Sequence, residues 1–295
     1  MRIRLVAAGL AACLSTAPVL AQESETLKKI KETNTISLGH RESSVPFSYY
    51  DEKQQVVGYS HDFQLKVVEA VKKALNLPNL QVKYTPVTSQ NRIPLIQNGS
   101  VDIECGSTTN NLERQKQVDF TTTVFIIGTR LLTKKDSGIK DFPDLKGKNV
   151  VTTAGTTSEK LLRAMNDEKK MGMNIISAKD HGESFLTLQS GRAAAFMMDD
   201  ALLAGERAKA RNPNDWVIVG PPQSKEAYGC MLRKGDAGFK KIADEAISAG
   251  LKADGPKLFK RWFESPIPPN NYVLNLPLSD DMKALFQAPN DKAFQ

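Results

Sequence analysis

From residue 35 onward the chain alternates between two rhythms of apolar and polar positions. "TISLGHRE" (35 to 42) and "LQVKYTPV" (80 to 87) carry the spacing of strands, whereas "DFQLKVVEAVKKALN" (62 to 76) repeats its apolar residues at helical spacing. "SQNRIPLIQNGS" predicts a short helix closed by Gly99, because a left-handed residue is tolerated just past a helix end, and "VDIEC" predicts another strand. This rhythm implies a mostly parallel sheet with helices on its faces. It restarts after "TVFIIGTRLLTKK" and the turn-rich linker "DSGIKDFPDLKGK". Strands "NVVTTA", "NIISA" and "RAAAFMM" then alternate with helices "TTSEKLLRAMNDEKKM", "GESFLTLQSG" and "DALLAGERAKAR". "DWVIVGPPQ" leads to a last extended segment, "EAYGCMLRK", followed by two helices at 236 to 255 and 256 to 265. The Pro- and Asn-rich tail "PIPPNNYVLNLPLSDDMKALFQAPND" holds one short helical candidate and is expected to wrap the first unit.

The expectation is an α/β protein of two lobes, one inserted into the other and joined by two strands that can hinge. The expected limits are 22–130 and 229–295 for the first lobe and 131–228 for the second. Residues 1–21 are expected to be a signal peptide. Arg2 and Arg4 precede an apolar run from Leu5 to Leu14, and "VLA" at 19 to 21 supplies the small residues of a cleavage site, which places the mature chain in the periplasm. A lipoprotein box, "LAAC" ending in Cys13, is the alternative; it leaves a very short apolar stretch, which favours soluble export. No later stretch approaches the roughly eighteen apolar residues of a spanning helix.

Charge narrows the partners. The formal charge of +7 falls to +5 without Arg2 and Arg4, and the basic residues are dispersed among acidic ones, which argues against a nucleic-acid footprint and for attraction of small anions. Without Cys13, Cys105 and Cys230 remain, and two readings stand: a disulfide in an oxidising compartment, or two buried thiols. His40, His61 and His181 are far apart and no metal-binding or catalytic signature occurs, so neither metal, cofactor nor catalytic residue is expected.

Open α/β sheets present ligands where strands end and loops lead into helices. "HRESS", "TSQNR" and "GSTTNNLER" fall there in the first unit, "AGTTSE", "KDHGES" and "MMDD" in the second. Arg41, Arg92 and Arg114 thus share a location, and the planar fork of arginine binds carboxylate through two parallel bonds. Thr157 or Ser158 stands at a helix start, where backbone N–H groups favour an anion or the side chain simply caps the helix. Asp200 is expected to cap the next helix, leaving Asp199 free for a cation. His181 is expected in a loop, in either a structural or a site role.

These segments, with "HRESSVPFSYYD", "ECGSTTNNLERQKQVDF", "ISAKDHGESF" and "AAFMMDDALLAGERAKA", resemble the glutamate/aspartate-binding members of solute-binding protein family 3, the periplasmic receptors of bacterial ABC amino-acid importers. The resemblance implies a Venus-flytrap fold that closes on L-glutamate or L-aspartate, docking onto ABC permease subunits and a monomeric state. It implies that Arg114, Thr109 and Thr157 hold the α-carboxylate, Asp199 and Ser107 the α-ammonium, and Arg41, Arg92, Ser89 and His181 the side-chain carboxylate. Ala154 replaces a serine of the pattern and leaves Thr157 in place. Three arginines against Asp199 then match a ligand with two negative groups and one positive. Two other readings are an exported two-lobe enzyme acting on a small carboxylate, dehydratase-like with His181 or Asp199 as base, and a receptor for a chemosensor.

Overall fold

The computed structural model describes residues 24–294, so the expected signal peptide and Cys13 lie outside the described residues. Two mixed sheets organise the chain. In the first, strands run in the order Gln81–Pro86, Thr35–His40, Ile103–Glu104, Glu226–Arg233 and Thr109–Asn110, with Val118–Ile127 also paired to Glu226–Arg233. The second is ordered Asn174–Ala178, Asn149–Thr153, Ala195–Asp199, Thr129–Lys134 and Trp216–Val219. In each sheet one strand runs against all the others, Glu226–Arg233 in the first and Thr129–Lys134 in the second. Both are crossing strands between the units, and both lie inside their sheets. Thr129 and Arg130, expected with the first lobe, pair in the second sheet; Glu226, Ala227 and Tyr228, expected with the second, pair in the first.

Helix Tyr59–Leu75 forms because Tyr59, Phe63, Val67 and Val71 recur every fourth residue on the buried face, and it ends at Asn76 in the left-handed region. It packs on helix Ala237–Phe259 so closely that a side chain at Gly250 would meet Lys66 at 2.7 Å. The expected break before Pro256 does not occur: the helix runs through Pro256 to Phe259 and continues as a π turn, Lys260–Glu264. The packing beyond explains this. Phe259 and Phe263 stack with Phe125, and Phe47 and Tyr59 close the cluster edge-on. Such pairs contribute about 0.5–1.5 kcal/mol each beyond the area they bury, and together with that burial they offset the ~3 kcal/mol expected of an internal proline.

Cys105 and Cys230 form a disulfide between neighbouring strands of the first sheet. The tail follows the first unit as expected. Its helix Asp280–Gln287 packs on Ala237–Phe259, and Asn290 and Asp291 accept hydrogen bonds through their carbonyls from Thr123 N–H and the Asn110 amide.

Candidate functional site

The nine expected residues are held by element ends and by the loops between elements. Arg41 follows strand Thr35–His40, and its backbone N–H donates to Ser48 Oγ at 3.0 Å. Arg92 opens the short helix Arg92–Gln97. Arg114 lies in Leu112–Gln115, where the N-cap side chain of Asn111 accepts from its backbone N–H. In the second unit three local assignments differ from expectation. The N-cap of helix Thr157–Glu168 is Thr156, so Thr157 and Ser158 occupy its first turn with their hydroxyls free for other work. His181 is the first residue of helix His181–Gln189 rather than a loop residue, because Asp180 caps that helix. Asp199, not Asp200, holds the N-cap place of Asp200–Lys209, yet makes no capping bond; its carboxylate turns instead to partners in the cleft.

The lobes are closed on one another. Arg114 donates to the Gly155 carbonyl at 3.3 Å, Thr109 and Thr157 hydroxyls are 3.4 Å apart, and Lys160 pairs with Glu113 at 2.6 Å at the exposed rim. Gly155 has φ +76°, and a Cβ there would meet Gln90 N at 2.9 Å, so the close approach of the 88–92 segment needs glycine.

Between the lobes the polar groups divide into two ends. At one, Arg41 makes a single guanidinium hydrogen bond among the described residues, to Ser107 Oγ at 3.4 Å, and Ser107 donates to Ser44. Arg92 donates to the Ser107 carbonyl at 3.0 Å and to the Thr108 hydroxyl, while its Nε is buried without a partner. Ser89 Oγ and His181 Nε2 are also buried and unpartnered among the described residues; His181 Nδ1 is 2.9 Å from Thr153 Oγ1. This end has donors to spare. Ser89 makes no bond to the other eight residues, and Ser107, assigned by resemblance to an ammonium, keeps company with Arg41.

At the other end are acceptors. Asp199 receives hydrogen bonds from Thr129 (2.9 Å), Ser158 (3.1 Å) and the Tyr228 hydroxyl. Glu226 receives Thr109, Thr157, Thr129 and Ser224. Arg114 is anchored between by donation to the Thr109 carbonyl at 2.9 Å.

Burial dominates the electrostatics. It holds the Arg41 and Arg114 guanidiniums down at about 10, with Arg92 adding to the effect at both. Arg92 is lowered by burial too, against the attraction of Glu104. His181 is pushed well below its ordinary value by burial and then by Arg41 and Arg92, which leaves it neutral at neutral pH. Asp199 is raised to about 7 by burial and by the Glu226 carboxylate, against its hydroxyl donors. The expected balance of three arginines against one acid is therefore corrected. Glu104, buried and accepting from Thr108 at 2.7 Å, and Glu226 add two carboxylates. A signal for both was present: each is a carboxylate within or at the start of a strand segment rich in apolar residues, and buried charge is the informative exception.

A two-lobed α/β cleft that is lined by buried donors at one end and acceptors at the other defines a binding protein for a small zwitterionic or anionic solute. The chain belongs to the bacterial extracellular solute-binding proteins, family 3, whose family model matches residues 36–265. It is 65% identical to the L-glutamate/L-aspartate-binding protein of Pseudomonas aeruginosa over 98% of this chain and 97% of that one. It is 63% identical to the glutamate/aspartate import solute-binding protein of Escherichia coli, covering 98% and 95%. A solved ancestral arginine-binding protein bound to arginine shares the fold with a TM-score of 0.69 at 30% identity, covering 78% of this chain and 98% of that chain.

Proposed function

We propose that this protein captures L-glutamate or L-aspartate between its lobes and delivers it, as a monomer in the periplasm, to the membrane subunits of an ABC importer. The hinge passes between Ile127 and Thr129 and between Val219 and Glu226, and closure is favoured because ligand groups meet both lobes at once. Arg41, Ser89, Arg92 and His181 receive the side-chain carboxylate, Arg114, Thr109 and Thr157 hold the α-carboxylate, and Asp199 and Ser107 take the α-ammonium.

The observation that carries this reading is the donor end. Among the described residues Arg92 Nε and Ser89 Oγ are buried without partners, as is His181 Nε2, a donor in the tautomer whose Nδ1 accepts from Thr153, and Arg41, whose charge acts on Arg92 and His181, is nearly so. Buried donors left unmade cost about 1–3 kcal/mol each, more when charged, and a carboxylate has lone pairs to satisfy them together. The names of the similar proteins agree with this choice of ligand.

The test is calorimetric titration of unfolded and refolded protein, freed of carried-over ligand, with L-Glu, L-Asp, L-Gln and L-Asn. The two acids bind one-to-one and the amides at least tenfold more weakly, because an amide leaves guanidinium N–H groups facing an NH2. Equal binding of Gln and Glu would sink the dicarboxylate reading.

A further inference from the structure

Glu226 opens the returning strand Glu226–Arg233 and is buried where the two lobes meet. Its Oε2 accepts from Thr109 of the first lobe at 2.5 Å and from Thr157 of the second at 2.7 Å; its Oε1 accepts from Ser224 at 2.9 Å and Thr129 at 3.4 Å. Thr129 also reaches Asp199 at 2.9 Å, the shorter of its two contacts, so its one hydroxyl proton goes to Asp199 and its oxygen lies between the two carboxylates. A threonine hydroxyl has one proton. In this structure the hydroxyls of Thr109 and Thr157 converge on Glu226, so its carboxylate lies between the lobes on the same side of the cleft as Asp199, and two carboxylates stand at this end of the site. Such an end is complementary to a group that brings several N–H donors and a positive charge.

We infer that Glu226 acts with Asp199 as a second carboxylate for the ligand's α-ammonium, and so sets the preference for dicarboxylates that carry an amino group over those that lack one. The inference rests on the reading of the protein as a glutamate/aspartate receptor. The charged and titratable groups facing the pair are Arg92 and Arg114, Tyr228, and Asp200 next to Asp199. The two arginines are fixed positive charges, and Tyr228 is held protonated by burial and by Asp199. Burial and then Glu226 raise Asp199 to about 7, so its carboxyl keeps a proton more readily than an ordinary aspartate. An arriving ammonium takes over that proton's place and expels it to solvent, since an adjacent positive charge favours the ionised acid.

The test titrates refolded full-length protein and Glu226→Gln with L-glutamate and with glutarate, at pH 7 in phosphate and in Tris, whose ionisation enthalpies differ. The wild-type protein prefers L-glutamate to glutarate, and its binding of L-glutamate releases protons because Asp199 is raised by burial and by Glu226. In Glu226→Gln the preference falls at least about tenfold, because the substitution removes one charge-assisted partner of the ammonium, and the proton release diminishes because one of the two causes that raise Asp199 is gone. If the wild-type protein binds glutarate as tightly as L-glutamate, the inference fails whatever the variant does, including a variant that does not fold. If wild type prefers L-glutamate and the variant keeps that preference, Glu226 alone is misassigned. If wild type binds no acidic amino acid, the proposed function fails and this inference with it.

Discussion

Replacing Arg41 with methionine separates binding from stability. Arg41 is 1% exposed, and burial brings its guanidinium from an ordinary 12.5 to about 10. A base whose pKa falls on folding penalises the folded state at every pH below the lowered value, so at neutral pH the whole penalty is present. At about 1.4 kcal/mol per tenfold in proton affinity it is about 3 kcal/mol. Little offsets this within the protein: the guanidinium's bond to Ser107 spans 3.4 Å. Methionine keeps most of the stem's length and apolar contact while removing the charge. Empty Arg41→Met therefore melts no lower than wild type, and up to several degrees higher. Binding moves the other way. Removing one partner of a buried charge pair costs about 2–5 kcal/mol, which corresponds to a loss of affinity for L-glutamate of at least about thirtyfold. Calorimetric titration and thermal melts on ligand-freed protein read the two quantities side by side. The reasoning is refuted if the variant binds L-glutamate within about threefold of wild type, or if the empty variant melts several degrees lower.

Two further outcomes are expected. Reduction, or replacement of Cys105 and Cys230 by serine, removes a link across 125 residues of sequence and lowers stability by about 2–5 kcal/mol in chemical denaturation; coincident curves with and without reductant would remove the disulfide from the stability account. An acid raised on folding, as Asp199 is, imposes no penalty below its unfolded value near 3.8 and its full penalty above about 7, so its contribution to empty-protein stability declines between those pH values, by up to about 4 kcal/mol. Neutral, buried His181 acts with the opposite sign as pH falls below 6.5, so the measurement is the difference between melting curves of wild type and Asp199→Asn, which widens in the variant's favour from pH 4 to pH 7. A flat difference refutes the assignment.

The readable part of the molecule was local. Apolar spacing gave Tyr59–Leu75 and the alternation around it because helix and strand periods depend on near neighbours in sequence. The nine expected cleft residues sit at element ends or, for Ser89 and Ser107, in the loops between elements and, Thr157 excepted, are buried. What sequence spacing could not reveal were contacts made at a distance. Glu226 meets Thr109 and Thr157 across separations of 117 and 69 residues, and Tyr228 reaches Asp199 from the neighbouring lobe. Local rules misled at Pro256, where distant aromatic packing outweighs the missing N–H, and at Asp199, where hydroxyl partners from other elements draw its carboxylate away from capping. Both misses have the same cause, tertiary contacts overriding a local preference.

The placement of strand Glu226–Arg233 inside the first sheet dictates an order of assembly. A chain made from its N-terminus acquires strands Thr35–His40, Gln81–Pro86 and Ile103–Glu104 early, but the strand that joins Ile103–Glu104 to Val118–Ile127 arrives about a hundred residues later. All five strands of the second sheet lie between Thr129 and Val219, with none borrowed from outside. The inserted unit can therefore complete its sheet while the unit that precedes it still waits, with open strand edges, for its own central member. The part of the chain that appears first is the part that finishes last.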